Sequence, residues 1–364
     1  MTVRPALACM AAWVAMLIPA GADDVLVGVG ITNISWQQAP AISSTLDAIS
    51  EARFEAVRIA WKGSIERSQI ALRDASTKGL ETLIVLPLTD GPTSEPEALA
   101  RQASGDFFAV HGLSRLDLTR LEAQVDDMLD FVVAEDIAVA GIELGNELNW
   151  SGFNGDLPLA PSGAWIEAMS QLDAPTQQAF ARGVDRYVEA IRLVEAALRA
   201  RDMDVPVVLG AMADIDGQFV RQSGGMLVAP DIVVAMLEAR GALALTDAVA
   251  VHLYAPLRLD VETDARAGML GQVLDDCGTP ALGGQPCWIT EYGIAQWQDA
   301  CDVSDEARRD AIAALNQYLS QPGSAARVPA TFFYDWSDSA HFSLVRCGRL
   351  STLAQDVTGG INPS

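Results

Sequence analysis

Eight short apolar runs, each followed by an amphipathic helical stretch, predict an α/β fold, a single (β/α)8 barrel with long βα loops. Three observations carry that prediction. The runs are continuously apolar rather than alternating, which suits parallel strands buried on both faces. The segments between them repeat apolar residues at intervals of three and four, the period of a helix packed on one side. Of the 364 residues, about 342 follow the N-terminal segment treated below, where such barrels take ~250 plus loop insertions.

In chain order the runs cover 25–31, 56–61, 82–88, 137–145, 205–211, 248–254, 286–290 and 330–336. Between the third and fourth, Leu118, Leu121, Val125, Leu129 and Val132 mark a helix. Phe180, Val184, Tyr187, Ile191, Val194 and Leu198 mark the next, with Pro175 in its first turn, where a missing N–H costs nothing. Residues 304–306 open a later helix whose buried face carries Ala311, Leu315 and Leu319. A doubly wound open sheet is the rival architecture. Gly28-Val29-Gly30 is a weak dinucleotide-binding signal, because Asn33 stands where a third glycine is needed.

Residues 1–22 read as a cleaved signal peptide, leaving 23–364 as the catalytic barrel. Arg4 precedes an apolar stretch from Ala6 to Ile18, Pro19 breaks it, and Ala20-Gly21-Ala22 supplies small residues for cleavage. The stretch is shorter than the ~20 residues of a bilayer span, so the mature chain is expected to be secreted or periplasmic, with no integral membrane span. Beyond the signal lie Cys277, Cys287, Cys301 and Cys347. An even count in an exported chain fits two disulfides, and we read Cys277 with Cys287 and Cys301 with Cys347, the alternative being four buried thiols. The net charge of −24 argues against a nucleic-acid partner. Three histidines are too few for a metal site built on imidazole clusters, and no metal or cofactor is expected. A monomer is expected.

The active site of such a barrel lies at the C-terminal ends of its strands. The fourth run ends in Asn146-Glu147, followed by Leu148-Asn149-Trp150, and the seventh in Thr290-Glu291-Tyr292-Gly293. The sixth ends His252-Leu253-Tyr254, the eighth Tyr334-Asp335-Trp336, and Arg58 sits inside the second. A buried Arg needs a buried acid, and Glu291 is the obvious partner. Glu143 shares the strand face of Glu147 at even spacing and is a possible impostor for the catalytic acid. Two carboxylates above an aromatic floor are what glycosidic cleavage requires, one protonated to assist the leaving oxygen and one ionised.

On Asn146-Glu147, on Trp288-Ile289-Thr290-Glu291-Tyr292-Gly293, and on His252-x-Tyr254 with Trp336, the sequence resembles the clan of retaining (β/α)8-barrel glycoside hydrolases that includes cellulases, mannanases, β-xylosidases and galactanases. The resemblance follows strand order through essentially the whole chain beyond the signal. It implies Glu147 as general acid/base and Glu291 as nucleophile, with Asn146 bonding the sugar 2-hydroxyl. It further implies Arg58 and Tyr254 orienting Glu291, His252 lining the site, and Trp336 flooring it. Carboxyl groups 5–5.5 Å apart would accompany retention, and ~9 Å inversion.

Trp36, Trp61, Trp150 and Trp297 also follow strand ends, and Phe107, Phe108 and His111 lie on a long segment from 90 to 115. Several aromatics around one mouth suggest an oligosaccharide cleft, with Trp150 among its walls. A carbohydrate is therefore the expected partner, and the acid excess disfavours a strongly anionic polymer. The chief rival is a non-catalytic glycan-binding protein on a glycosidase-like barrel. A metal-dependent hydrolase would need a His-x-His on the first strand, and esterase chemistry a GxSxG elbow; the sequence has neither.

Overall fold

The computed structural model describes residues 25–31, 33–89, 110–160, 162–213, 220, 224–260, 262–296, 301, 305–337 and 341–359. The expected signal peptide, Trp297, Phe107, Phe108 and Ser304 lie outside these.

The strands in chain order are β1 (Leu26–Gly30), β2 (Ala56–Ala60), β3 (Glu81–Leu86), β4 (Val139–Leu144), β5 (Ala164–Ile166), β6 (Val207–Met212), β7 (Met226–Val228), β8 (Ala248–Leu253), β9 (Cys287–Tyr292), β10 (Ala330–Phe333), β11 (Val345–Arg346) and β12 (Arg349–Leu350). Eight of them close into a parallel barrel in the order β1-β10-β9-β8-β6-β4-β3-β2. These are the eight apolar runs, each within a few residues of its expected bounds. The helices are α1 (Ala39–Glu51), α2 (Ile65–Thr77), α3 (Leu118–Ala134), α4 (Ala174–Ala200), α5 (Pro230–Glu238), α6 (Thr263–Leu274), α7 (Glu306–Leu319), α8 (Ser324–Arg327) and α9 (Leu353–Gly359). Side-chain caps start several of them by satisfying free N–H groups. Ser64 accepts from Arg67 N, Asp117 from Thr119 and Arg120, and Asp173 from Thr176.

The barrel interior is lined mainly by alanines and filled by two rings with Leu83 and Val208. Ala56, Ala140, Ala248, Ala250 and Ala330 cluster with Trp288 and Phe332. A Cβ on Gly141 of β4 would lie 3.0 Å from the Trp288 ring of β9. Those strands are not neighbours, so the contact crosses the interior. The larger apolar cluster joins the outward strand faces to the helices. In that layer the buried Tyr187 of α4 donates to Leu144 O and accepts from Gly210 N, both at 2.8 Å, fastening the end of β4 to β6. Tyr187→Phe leaves both backbone groups buried without this partner, and is expected to lower stability by about 1–3 kcal/mol in urea unfolding.

Two features were not expected. The loop after β4 and the loop after β6 each contribute a three-residue strand, β5 and β7, which pair in parallel outside the barrel. The fully buried Asn149 side chain locks the same two loops. It donates to Ala213 O and Val228 O, both at 2.9 Å, and accepts from Ala213 N at 2.7 Å. The four cysteines form Cys277–Cys287 and Cys301–Cys347, the pairing read from the sequence.

Candidate active site

At the C-terminal end of the barrel a polar cluster replaces the apolar filling. Arg58 on β2 is 1% exposed. Its Nε donates to Glu143 at 2.6 Å, Nη1 to Glu291 at 2.5 Å, and Nη2 to Asn146 Oδ1 at 3.0 Å. One planar cation thus reaches across the interior to β4, β9 and the turn beyond β4, a use suited to the fixed fork of guanidinium. The buried acid expected for Arg58 is Glu291, joined by Glu143. Glu143 is fully buried and also accepts from Thr290 Oγ1 at 3.0 Å, so it belongs to the support beneath the site. With its Oδ1 held by Arg58, the half-buried amide of Asn146 is left to donate from nitrogen.

The irregular pairing of β9 explains how Thr290 and Glu291 both face inward. Strict alternation would send them to opposite faces. Between β8 and β9 the register shifts, Val251 opposing Ile289 and His252 opposing Glu291. This bulge re-aims one residue, as bulges beside functional sites do. Thr290 then bonds Glu143 while Glu291 meets Arg58.

Glu147 arrives by a different device. Beyond β4 the chain turns through Gly145 at φ 77° and Glu147 at φ 48°, left-handed conformations that a non-glycine residue adopts at some cost. Glu147 N donates to Ala211 O at 2.8 Å, and its carbonyl accepts from Trp150 N at 3.0 Å. Its carboxylate is nearly buried, with Oε1 2.9 Å from His252 Nδ1. The same nitrogen lies 3.6 Å from Glu291 Oε2. These two carboxylate oxygens are therefore no more than about 6.5 Å apart, the sum of the two distances. Tyr254 donates to Glu291 Oε2 at 2.6 Å.

The electrostatics follow from this packing. Burial pushes the Glu291 carboxyl up, but the charges of His252 and Arg58 and the hydrogen bonds from Tyr254 and Arg58 outweigh it and hold it below its ordinary value. Burial pulls His252 down, and the charge of Glu291 together with the bond and charge of Glu147 brings it above its ordinary value. Burial and the Glu291 charge raise Tyr254 well above the usual phenol range, so it remains a donor. The result is a site with one carboxylate held ionised beside a second within reach of the same histidine.

Arg58, Asn146, Glu147, His252, Tyr254 and Glu291 thus come together. Trp336 does not join them. It is 3% exposed and sits in the layer between strands and helices, edge-on to Phe54 at 6.3 Å. The aromatic at this strand end that meets the cluster is Tyr334, half-buried, with its ring 6.1 Å from that of Tyr254. Trp150 packs edge-on to Phe153 at 5.6 Å and against the small cluster of Ala213, Val220 and Leu227. Trp61 is core, packed on Phe131, whereas Trp36 is 69% exposed. Among the described residues, no three His, Cys, Asp or Glu side chains gather as a metal-binding group, and no helix is long and apolar enough to cross a membrane.

No protein-family model matches the sequence, and no curated protein sequence matches it. Solved structures do. A family 39 glycoside hydrolase from the gut symbiont Bacteroides cellulosilyticus is similar at 14% identity and TM-score 0.55, with 93% of this chain covered. This chain spans 64% of that protein's length. Fungal β-1,4-galactanases are similar at 12% identity and TM-score 0.52, covering 92% of this chain and 94% of theirs. An exo-β-1,4-mannosidase from an Opitutaceae bacterium is similar at 14% identity and TM-score 0.54, covering 92% of this chain and 58% of its own. At these identities the likeness is one of architecture: the chain has the closed (β/α)8 barrel of these glycoside hydrolases.

Proposed function

We propose that the protein is an exported glycoside hydrolase that cleaves β-glycosidic bonds of an oligo- or polysaccharide with net retention. The observation that carries this reading is the approach of both Glu147 and Glu291 to the same nitrogen, His252 Nδ1, with Glu291 held ionised by Arg58 and Tyr254. Oxygens at most about 6.5 Å apart stay at or below the lower edge of the ~6.5–9.5 Å gap of inverting pairs, which supports a nucleophile. The similar structures include enzymes named for β-1,4-linked galactan and mannose substrates, which favours an equatorial β-linkage. The apolar segment at residues 1–22 and the two disulfides support export to an oxidising compartment.

The chemistry is double displacement. A Glu291 oxygen attacks the anomeric carbon as the bond from that carbon to the leaving oxygen breaks. Protonated Glu147 delivers its proton to the leaving oxygen, so the aglycone departs as an alcohol and a glycosyl ester remains on Glu291. Glu147, now ionised, takes a proton from water, whose oxygen attacks the same carbon from the opposite face and frees Glu291. With its Oδ1 held by Arg58, Asn146 donates from its amide nitrogen to the sugar 2-hydroxyl in this reading, and His252 orients the Glu147 side chain.

The purified protein, assayed against aryl β-glycosides and β-glucan, xylan, mannan and galactan, is expected to release sugar of the β-anomer first, read by NMR. Glu147→Gln is expected to lower polysaccharide turnover by about 10²–10⁴-fold. An intact protein inert on every glycan, or one releasing the α-anomer first, would remove the proposal.

A further inference from the structure

With Trp336 buried, the aromatic surface beside Glu291 is built by other residues. Tyr254, Tyr334 and Phe342 form a mutually edge-on triangle, with centroids 6.1, 5.5 and 5.8 Å apart. All three rings are half-buried, and one corner of the triangle, Tyr254, donates to Glu291. Tyr254 and Tyr334 directly follow the barrel strands β8 and β10, whereas Phe342 lies farther along the chain. It lies on the loop beyond β10, which would by itself be a poor place for a fixed contact.

That loop is fastened at every residue from 341 to 347. His341 O accepts from Gln296 N at 3.0 Å, and Phe342 O accepts from Arg308 Nη2 at 2.7 Å. Ser343 Oγ donates to Asp335, Leu344 N to Asp335 O at 2.9 Å, and Val345 N to Trp336 O at 2.8 Å. Arg346 donates to the buried Asp305, and Cys347 is disulfide-bonded to Cys301. Arg308 is itself fully buried, its guanidinium 5.8 Å from the centre of the Phe333 ring. A Cβ on Gly293, at the end of β9, would lie 3.1 Å from the Phe342 ring and 2.4 Å from Tyr334 O. The ring is thus seated against the strand that carries Glu291.

Seven consecutive ties around one half-exposed apolar ring are the construction of a preorganised contact. We propose that Phe342 is a specificity-determining residue that walls the subsite of the attacked sugar and packs on its apolar C–H face. The inference rests on the glycosidase reading. The role belongs to binding rather than proton transfer, so its loss acts on KM more than on kcat. A neutral pyranose with an unbroken C–H face is the substrate unit such a wall accepts.

The test uses the full-length protein and p-nitrophenyl β-D-glycosides of glucose, galactose, mannose and xylose. On the best of the four, or on the best polysaccharide where none of the four is turned over, Phe342→Ala is expected to raise KM about tenfold while kcat changes less than about threefold, and Phe342→Tyr to keep the parent KM within about twofold. If Phe342→Ala does not fold, Phe342→Leu decides: a raised KM supports the wall and an unchanged one overturns it. A parent that turns over while Phe342→Ala keeps its KM within about twofold overturns the wall and leaves the glycosidase reading standing. A parent inert on all four and on every polysaccharide overturns the glycosidase reading, and the wall with it.

Discussion

Replacing Glu291 by Gln is expected to lower kcat/KM by about 10⁴-fold or more while the barrel stays folded, because an amide of the same shape cannot attack the anomeric carbon. In Glu291→Ala, which leaves that space open, azide should restore turnover partly when the substrate carries a good leaving group, giving a glycosyl azide of α-configuration, since the anion enters from the face that Glu291 occupied. Residual activity within about tenfold of the parent would remove Glu291 from the role. The pH profile tests the same residue independently. Burial raises Glu291, but His252, Arg58 and Tyr254 together hold it below its ordinary value. It therefore stays ionised as pH falls past the ordinary carboxylate value, and the acidic limb of kcat/KM due to Glu291 should lie below that value. In stability the two site groups act in opposite windows. The depressed Glu291 contributes stability above its unfolded value, lost as pH falls through its folded value. The raised His252 contributes stability below its unfolded value, lost as pH rises through its folded value.

How much of this was legible in the sequence depends on how local each determinant is. Glu147 and Glu291 were readable because each closes an apolar run, and a polar residue at the end of a buried parallel strand falls at one known end of the barrel. His252 and Tyr254 were readable from their alternation with Leu253. Trp336 was expected as the floor from the resemblance alone, and Tyr334, two residues earlier, is the aromatic that meets the cluster instead. β10 ends at Phe333, and beyond it Trp336 N bonds Gly30 O, which turns its ring outward to Phe54 in the helix layer. Parity beyond a strand end no longer specifies a face. The bulge on β9 was hidden for a related reason, since it is a property of pairing with β8 rather than of the residues Thr290 and Glu291 themselves. The pairing of β5 with β7 joins two loops about 60 residues apart through three residues each, too short a pattern to read. Glu143 had been weighed as a rival acid; only the full barrel shows that Arg58 and Thr290 occupy both its oxygens.

Arg58→Met is expected to produce the largest loss of stability of any single change at the site, about 3–5 kcal/mol in denaturant unfolding. The reason is what it leaves behind. Glu143 has no exposure at all and Glu291 very little, and Arg58 is the cation that both share. Without it two carboxylates face each other in the barrel, and Glu291 must rise toward or above its ordinary value. Activity should then fall, with its acidic limb displaced upward. Arg58→Lys keeps the charge but not the fork, so one ammonium must replace three directed contacts to Glu143, Glu291 and Asn146; it should recover part of the stability and little of the activity. The double variant Arg58→Met with Glu143→Met separates the two roles. Replacing a buried ion pair with apolar groups of similar size is often close to neutral, so the part of the stability lost through Glu143 should return while the acidic limb stays high, because nothing restores the cation beside Glu291. If Arg58→Met alone proved as stable as the parent, or if the double variant restored the low acidic limb, Arg58 would not be the group that holds the nucleophile ionised. The fold would then owe its tolerance of three buried charges to something other than their mutual pairing.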